Sequence, residues 1–428
     1  MPAPATSLDQ TYRVCNPDRP LRADGTDYYV DLTDVRGIRN IAESITRRIR
    51  LSEDEYLKLL FTGHRGSGKS TELLQLQKRL MDEGFFTIYL DVEGQLDLVE
   101  VTYIDILLAL VKQIEESLRE KNLALSETLL NSIAEWFEEK VIEKAQAIEL
   151  KAGLSASAQG GAKVPFLAKL LANFTAEIKS ASSRRITTRQ TLERELAVFI
   201  DKLNTLIRAA RTKVQAGTFK DIVLIVDGLD KMHFVTRKDG ISSHAELFVH
   251  HSEQLKAPDC HIIYTLPVSL VYNTNLGNDF ESPVVLPMVR LDPEGIAKLE
   301  SVIDKRVDVD QVFSNRAQLE RLVRLSGGVI RDLMRLVRLA TDNDHGKIRD
   351  DDIEYACNTL SREYDRLVRQ DDVAALKLVK TNRRVQADER YPRLLNLRLI
   401  LEYQNGERKA GLHPALERIT WLSEALNE

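Results

Sequence analysis

Eight consecutive residues, Gly63-His64-Arg65-Gly66-Ser67-Gly68-Lys69-Ser70, fit the pattern G-x-x-x-x-G-K-[ST] at every fixed position. The chemistry of such a run is phosphate binding. Its glycines let backbone N–H groups converge on phosphate oxygens where a side chain would block the approach. The helix expected to follow, opening with Ser70-Thr71-Glu72-Leu73, adds partial positive charge at the same place. Lys69 is placed to reach the β- and γ-phosphates, and the Ser70 hydroxyl to hold Mg²⁺. The expected ligands are therefore ATP or ADP with Mg²⁺, held along Gly63 to Thr71. The bland alternative is a glycine-rich turn that binds nothing.

Four further residues could complete that chemistry. Asp227 closes the apolar run Asp221-Ile222-Val223-Leu224-Ile225-Val226 far downstream of the loop. A P-loop ATPase places its Mg²⁺-holding acid in such a position, so Asp227 joins Ser70 as a metal candidate. Asp230, three residues on, is the candidate to orient or deprotonate an attacking water. Thr265 ends the next apolar run and could contact the γ-phosphate or the water. Arg331 follows Ser326-Gly327-Gly328 in the first turn of a helix, from which it could swing toward the phosphates. Its alternative is a surface arginine on a basic helix that also carries Arg335 and Arg338. His244, His250 and His251 lack carboxylate or cysteine partners at ligand spacing, so no further metal site is expected.

The elements that must position these residues follow from hydrophobic pattern. Tyr56 to Thr62 reads as a buried strand running into the loop, and Phe85 to Asp91 as a second strand. The runs ending at Asp227 and at Thr265, and Val284 to Val289 with its Pro287, supply three more; the proline marks an edge or an irregular end. Tyr28 to Leu32 is a short strand or an extended lead-in. Continuous apolar strands separated by helices predict a parallel sheet covered on both faces. Ile38 to Arg50, Tyr103 to Arg119 and Thr191 to Arg211 carry helical periodicity, and Ser126 to Glu149 stays helical and charged. After Pro293 helices dominate through about Arg369. Leu397 to Tyr403, the turn Asn405-Gly406 and a return near His413 predict a small hairpin. Residues 1 to about 26 read as a weakly ordered leader. Residues 151–183 read as an insertion whose apolar patch from Val164 to Leu171 either covers the core or marks an oligomer or partner contact.

Composition excludes several classes. The chain has 428 residues, 43% hydrophobic and 29% charged, which suits two or three globular domains. A net charge of −5 excludes a generic polyanion binder, so any nucleic-acid contact needs a local basic face. Arg383, Arg384, Arg390, Arg393 and Arg398 with Tyr391 and Trp421 could form one; interspersed acids make a solvated helical surface the alternative. Cys15, Cys260 and Cys357 are scattered and read as reduced thiols. No export signal and no bilayer-spanning run are expected, so no membrane partner and a cytoplasmic location.

Together these residues resemble the AAA+ and STAND branch of P-loop ATPases, over roughly residues 28 to 425. Gly63 to Ser70 resembles its Walker A. Ile222 to Asp230 resembles the Walker B of NACHT-type STAND proteins, which reads D-G-h-D-E. Here the last position is Lys231, and AAA+ members carry Glu where this chain has Gly228. Both departures imply slow hydrolysis. Thr265 resembles sensor 1. The Ser326-Gly327-Gly328 run with Arg331 resembles sensor 2 of origin-recognition-type members. The C-terminal strands and Leu412-His413-Pro414 resemble a winged helix, whose histidine in STAND proteins senses the β-phosphate of ADP; His413 is the counterpart.

The resemblance implies an α/β fold: a parallel-sheet P-loop NTPase core with a helical lid and a C-terminal winged-helix-like domain. Its divisions would be a leader at 1–27, the core at 28–292 with a helical insertion at about 120–215, the lid at 293–349 and the winged-helix-like part at 350–428. It implies an ATP-hydrolysing switch whose nucleotide state controls self-assembly. A separate effector protein would be the partner, in bacterial anti-phage defence or signalling. The alternatives are a DNA-transaction ATPase binding duplex through the winged helix, and a small-molecule P-loop kinase. The separate lid and the extra C-terminal part argue against the kinase.

Overall fold

The computed structural model describes residues 3–21, 27–52, 55–142, 183–236, 240–343, 345–386, 388 and 390–428. The apolar patch expected at Val164 to Leu171 lies outside them.

The first described helix is α1 (Leu8–Val14); after the single helical turn Thr33–Arg36 come α2 (Ile41–Leu51), β1 (Lys58–Gly63), α3 (Lys69–Asp82) and β2 (Phe86–Asp91). Helices α4 (Tyr103–Glu120), α5 (Glu127–Phe137), α6 (Ser183–Arg194) and α7 (Leu196–Ala216) come next. Strands β3 (Ile222–Asp227), β4 (His261–Leu266) and β5 (Val284–Leu286) complete the sheet. All five strands are parallel, in the order β2-β3-β4-β1-β5. This is the expected α/β fold, with β5 at the edge, where Pro287 has no N–H to continue the ladder.

Alternation along the strands sends neighbouring side chains to opposite faces. Leu59, Phe61, Val223, Ile225 and Ile263 pack against α2 and α3. Leu60, Ile88, Leu224, Val226 and Ile262 pack against α4, α5 and α7. Each of these fully buried side chains contributes roughly 1.5–3 kcal/mol relative to exposure. Because the strands are parallel, Gly63, Asp91, Asp227 and Leu266 all end at one edge of the sheet. That carboxyl edge is where open α/β sheets bind ligands.

Beyond the sheet the chain is helical: α8 (Pro293–Asp304), α9 (Ala317–Leu325), α10 (Ile330–Ala340), α11 (Asp350–Asp365), α12 (Val373–Asn382) and α13 (Tyr391–Asn396). The antiparallel hairpin β6 (Ile400–Asn405) and β7 (Glu407–Leu412) and helix α14 (Thr420–Asn427) close it. One apolar cluster runs through this whole region, from Leu299 and Leu333 to Leu376, Leu395 and Leu416.

Several expectations needed adjustment. The leader is ordered over residues 3–21: Ser7 caps α1, Cys15 is fully buried, and the Arg338 guanidinium lies 3.8 Å from the Tyr12 ring centroid. Its polar composition hid a docking surface supplied by α10. Of the two readings offered for Tyr28 to Leu32, the strand does not form. The long helix read over Thr191 to Arg211 is two helices, interrupted at Glu195. Past α5 the chain widens into a π-helical turn, Glu138–Ile142. Among the described residues no helix is long and apolar enough to cross a membrane.

Candidate functional site

Strand β1 delivers Gly63, the next residues form the loop, and α3 begins at Lys69. The loop is held from behind. The buried Arg36 guanidinium donates to the Ser67 carbonyl at 2.5 Å and also to that of Pro287. Gly66 has φ 82°, and a Cβ there would lie 2.7 Å from Cβ of Arg331. Glycine is required at this position because α10 comes that close.

Lys69 is buried, with Nζ donating to the carbonyls of Gly63 at 2.8 Å and His64 at 2.9 Å. Its charge is matched by Asp230, whose Oδ2 lies 2.8 Å away. Asp227 is also buried. Its Oδ2 accepts the Tyr89 hydroxyl at 2.6 Å, its Oδ1 accepts the Gly228 N–H at 2.8 Å, and the Ser70 hydroxyl lies close enough to the same carboxylate to favour its charge. Burial, then repulsion from Asp230, raises the Asp227 carboxyl, opposed by Ser70, Tyr89 and Lys69. Ser70 and Asp227 thus bring oxygen donors together beside the loop, the donor type that a hard cation such as Mg²⁺ takes. The residues present fit that ion.

Asp230 sits on the short 3-10 turn Leu229–Lys231. Thr265 holds that turn: its hydroxyl accepts the Leu229 N–H at 3.0 Å and donates to the Val226 carbonyl at 3.4 Å. Thr265 has no exposed surface, and backbone groups on that turn and strand take both bonds it makes. In the structure its hydroxyl holds the turn that carries Asp230.

Arg331 reaches the loop through its main chain, its N–H donating to the Gly66 carbonyl at 3.1 Å. Its guanidinium points to the leader, with Nε donating to the Pro17 carbonyl at 3.4 Å and an Nη2 3.3 Å from Asp18. Gly328, just upstream at φ 76°, admits the carbonyl of Val289, which a Cβ would approach to 2.0 Å. Thr71, in the first turn of α3, accepts the Leu21 N–H at 3.5 Å.

His413 was expected at the nucleotide and is placed elsewhere. It is fully buried, stacked on Tyr364 at 4.2 Å, with Nε2 3.4 Å from Asp332 and Nδ1 accepting the Ala415 N–H at 3.1 Å. It belongs to a buried polar cluster behind α10. Burial alone would raise the Asp332 carboxyl, but Arg398, His413 and Tyr364 outweigh it and hold the group well below the carboxylate range.

The histidine that does touch the loop is His64. Its Nδ1 bonds the Leu395 carbonyl at 3.2 Å, and its Nε2 accepts the Glu402 N–H at 3.1 Å. Nε2 as an acceptor fixes the neutral tautomer with the proton on Nδ1. Burial lowers the imidazole from its ordinary 6.5 to about 3. The folded form therefore binds fewer protons than the unfolded chain between these values. The stability this histidine contributes is present above about pH 6.5 and is lost as pH falls toward 3. Denaturation midpoints measured across that window should fall less in His64→Gln than in the wild type.

A cavity of about 1150 Å³ opens over the loop. Its lining includes the polar Arg65, Lys69, Ser70, Asp227 and Asp230 and the apolar Val30, Leu32, Val302, Ile330 and Met334. This combination can accept a phosphorylated ligand that also carries an apolar ring system. Tyr89 and Arg36 were not singled out from the sequence. Only the pairing of β2 with β3 reveals Tyr89, and Arg36 has no motif at all.

No family model matches the chain, and no curated protein matches it. Among solved structures it is similar to a Walker-type ATPase of Pyrococcus abyssi, at 16% identity and a TM-score of 0.43, covering 97% of this chain and 100% of that one. It is also similar to the ORC2 protein of Aeropyrum pernix in its ADPNP–ADP complexes, at 12% identity and a TM-score of 0.41, covering 97% and 96%. Cdc6p of Pyrobaculum aerophilum gives 12% identity and a TM-score of 0.38, covering 97% of each chain. At these identities and scores the likenesses say nothing about what this chain binds.

Proposed function

We propose that the chain is a P-loop ATPase of the AAA+ and STAND kind, a slow switch whose nucleotide state governs self-assembly and engagement of a separate effector. The single observation that carries the nucleotide reading is the meeting of Lys69, Ser70, Asp227 and Asp230 at the carboxyl edge of the sheet. The loop N–H groups and Lys69 would bind phosphate oxygens. Ser70 and Asp227 would hold Mg²⁺, which supplies charge neutralisation on the phosphates when bound. Asp230 would pass from pairing Lys69 to orienting water. Slow turnover follows from Gly228 and Lys231 standing where relatives carry glutamates. The divisions at 27/28, 292/293 and 349/350, a winged-helix-like C-terminal part and a setting in bacterial anti-phage defence or signalling belong to this proposal.

The DNA-transaction reading is less favoured, because much of its basic face is engaged. Arg393 pairs with Asp372 at 2.8 Å, Arg390 with Asp388 at 2.7 Å, and Arg398 is largely buried against Asp332.

The test has two arms. Asp227→Asn is expected to lose Mg²⁺-dependent hydrolysis by about two orders of magnitude or more, whereas Asp230→Asn keeps nucleotide binding and slows turnover. Mg²⁺-dependent turnover by Asp227→Asn at the wild-type rate would sink the assignment. Mass in solution without nucleotide, with ADP and with a non-hydrolysable ATP analogue, each with and without duplex DNA, separates the switch from the DNA reading. Truncation after Arg349 is a poor test, since α11 buries Ile353, Ala356 and Leu360 in the same cluster as α9 and α10.

A further inference from the structure

A closed ring of contacts joins the loop, the hairpin and α10. His64 receives the Glu402 N–H, as described, while the Glu402 carbonyl accepts the Met288 N–H at 2.8 Å. Glu402 is thereby pinned by the loop on one side and by the chain beyond β5 on the other. Its neighbour Tyr403 donates its hydroxyl to the Gly327 carbonyl at 2.7 Å, gripping the turn that opens α10. Arg331 in α10 returns to the loop through the Gly66 carbonyl at 3.1 Å. The Arg398 guanidinium, just ahead of β6, reaches within 3.5 Å of where a Cβ on Gly66 would stand. Two loop residues are thus tied to two different elements that also hold each other.

The phosphate-loop pattern leaves position 64 free, since phosphate chemistry needs only its backbone. Here the side chain is fully buried and both ring nitrogens are committed to the C-terminal part of the chain. A shift of the hairpin must therefore move the backbone at His64, and with it the loop.

We infer that His64 is a positioning residue that couples nucleotide occupancy of the phosphate loop to docking of the β6–β7 hairpin. The inference rests on the nucleotide reading above and assigns its route of regulation to His64 rather than to His413. Coupling of this kind is reciprocal: whatever pulls the hairpin away weakens nucleotide binding by the same factor by which nucleotide strengthens docking.

Amide hydrogen exchange over residues 400–412 of the full chain tests it, read with and without ATP beside a direct ATP-binding measurement. In the wild type ATP is expected to slow hairpin exchange about tenfold, within the ordinary range for linked sites. His64→Ala should still bind ATP, more weakly, with hairpin exchange no longer responding. His64→Gln, whose amide carries both a donor group and an acceptor oxygen, should restore part of the response. A purely structural role would shift basal exchange in His64→Ala and leave the ATP response intact, which would overturn the coupling. If His64→Ala does not fold, Tyr403→Phe opens the ring at its far side and should lower the ATP response; an unchanged response there overturns the inference. A wild type that binds ATP with no change in the hairpin overturns the coupling alone. A wild type that binds no ATP overturns the nucleotide reading, and the inference with it.

Discussion

Lys69→Ala is expected to lose ATP turnover by about two to three orders of magnitude, the scale seen when a preorganised charge donor is removed from a transition state. The same substitution should also destabilise the fold. Lys69 and Asp230 are both buried and lie 2.8 Å apart, so removing the lysine strands a buried carboxylate. Breaking one side of such a pair costs roughly 3 kcal/mol. Lys69→Ala with Asp230→Asn leaves no stranded charge and should recover much of that loss while remaining inactive. Urea denaturation of the three proteins together with a phosphate-release assay checks both halves. Near wild-type turnover in folded Lys69→Ala would remove the loop from the chemistry. Equal stability of the single and double variants would mean that the ion pair is not what holds Lys69 in place.

Arg331→Ala is expected to slow phosphoryl transfer by about three orders of magnitude if its guanidinium reaches the phosphates during turnover. The substitution keeps the backbone N–H that bonds Gly66, so the contact of α10 with the loop survives. Only the guanidinium is lost, and its partners in the structure are Pro17 and the largely exposed Asp18. An exposed ion pair of this kind contributes about 0–1 kcal/mol. Asp18→Asn therefore serves as the control: it releases the guanidinium without removing it and should keep turnover at or above the wild-type rate. Arg331→Ala with unaltered turnover would make the residue a leader clamp and nothing more.

The strands were readable from sequence because parallel strands buried on both faces leave continuous apolar runs such as Ile222 to Val226. The loop was readable because its chemistry demands fixed residue types at fixed spacing. What holds Thr265 and His413 was not readable from sequence, for a common reason. A position at a strand end, or just past a hairpin, sets where the backbone lies but not which groups compete for the side chain. Thr265 is claimed by the turn after β3, and His413 by Asp332 and the Ala415 N–H. The leader misled because polar composition predicts exposure only where no complementary surface exists, and α10 provides one.

By itself the sequence determined the local chemistry of this protein: a glycine-rich loop between a strand and a helix, a carboxylate ending a second buried strand, and helices after Pro293. These are short-range properties, written in spacing, periodicity and residue type. Only the tertiary structure decided which groups meet. It set Lys69 against Asp230, placed the Tyr89 hydroxyl on Asp227, and turned His64 toward Glu402 across 338 positions of chain. Such pairings follow from the order of strands in the sheet and from the return of the C-terminal hairpin onto the chain just past β5. Periodicity specifies which face of an element is buried and leaves open what buries it. That choice is made by the packing of all the elements at once.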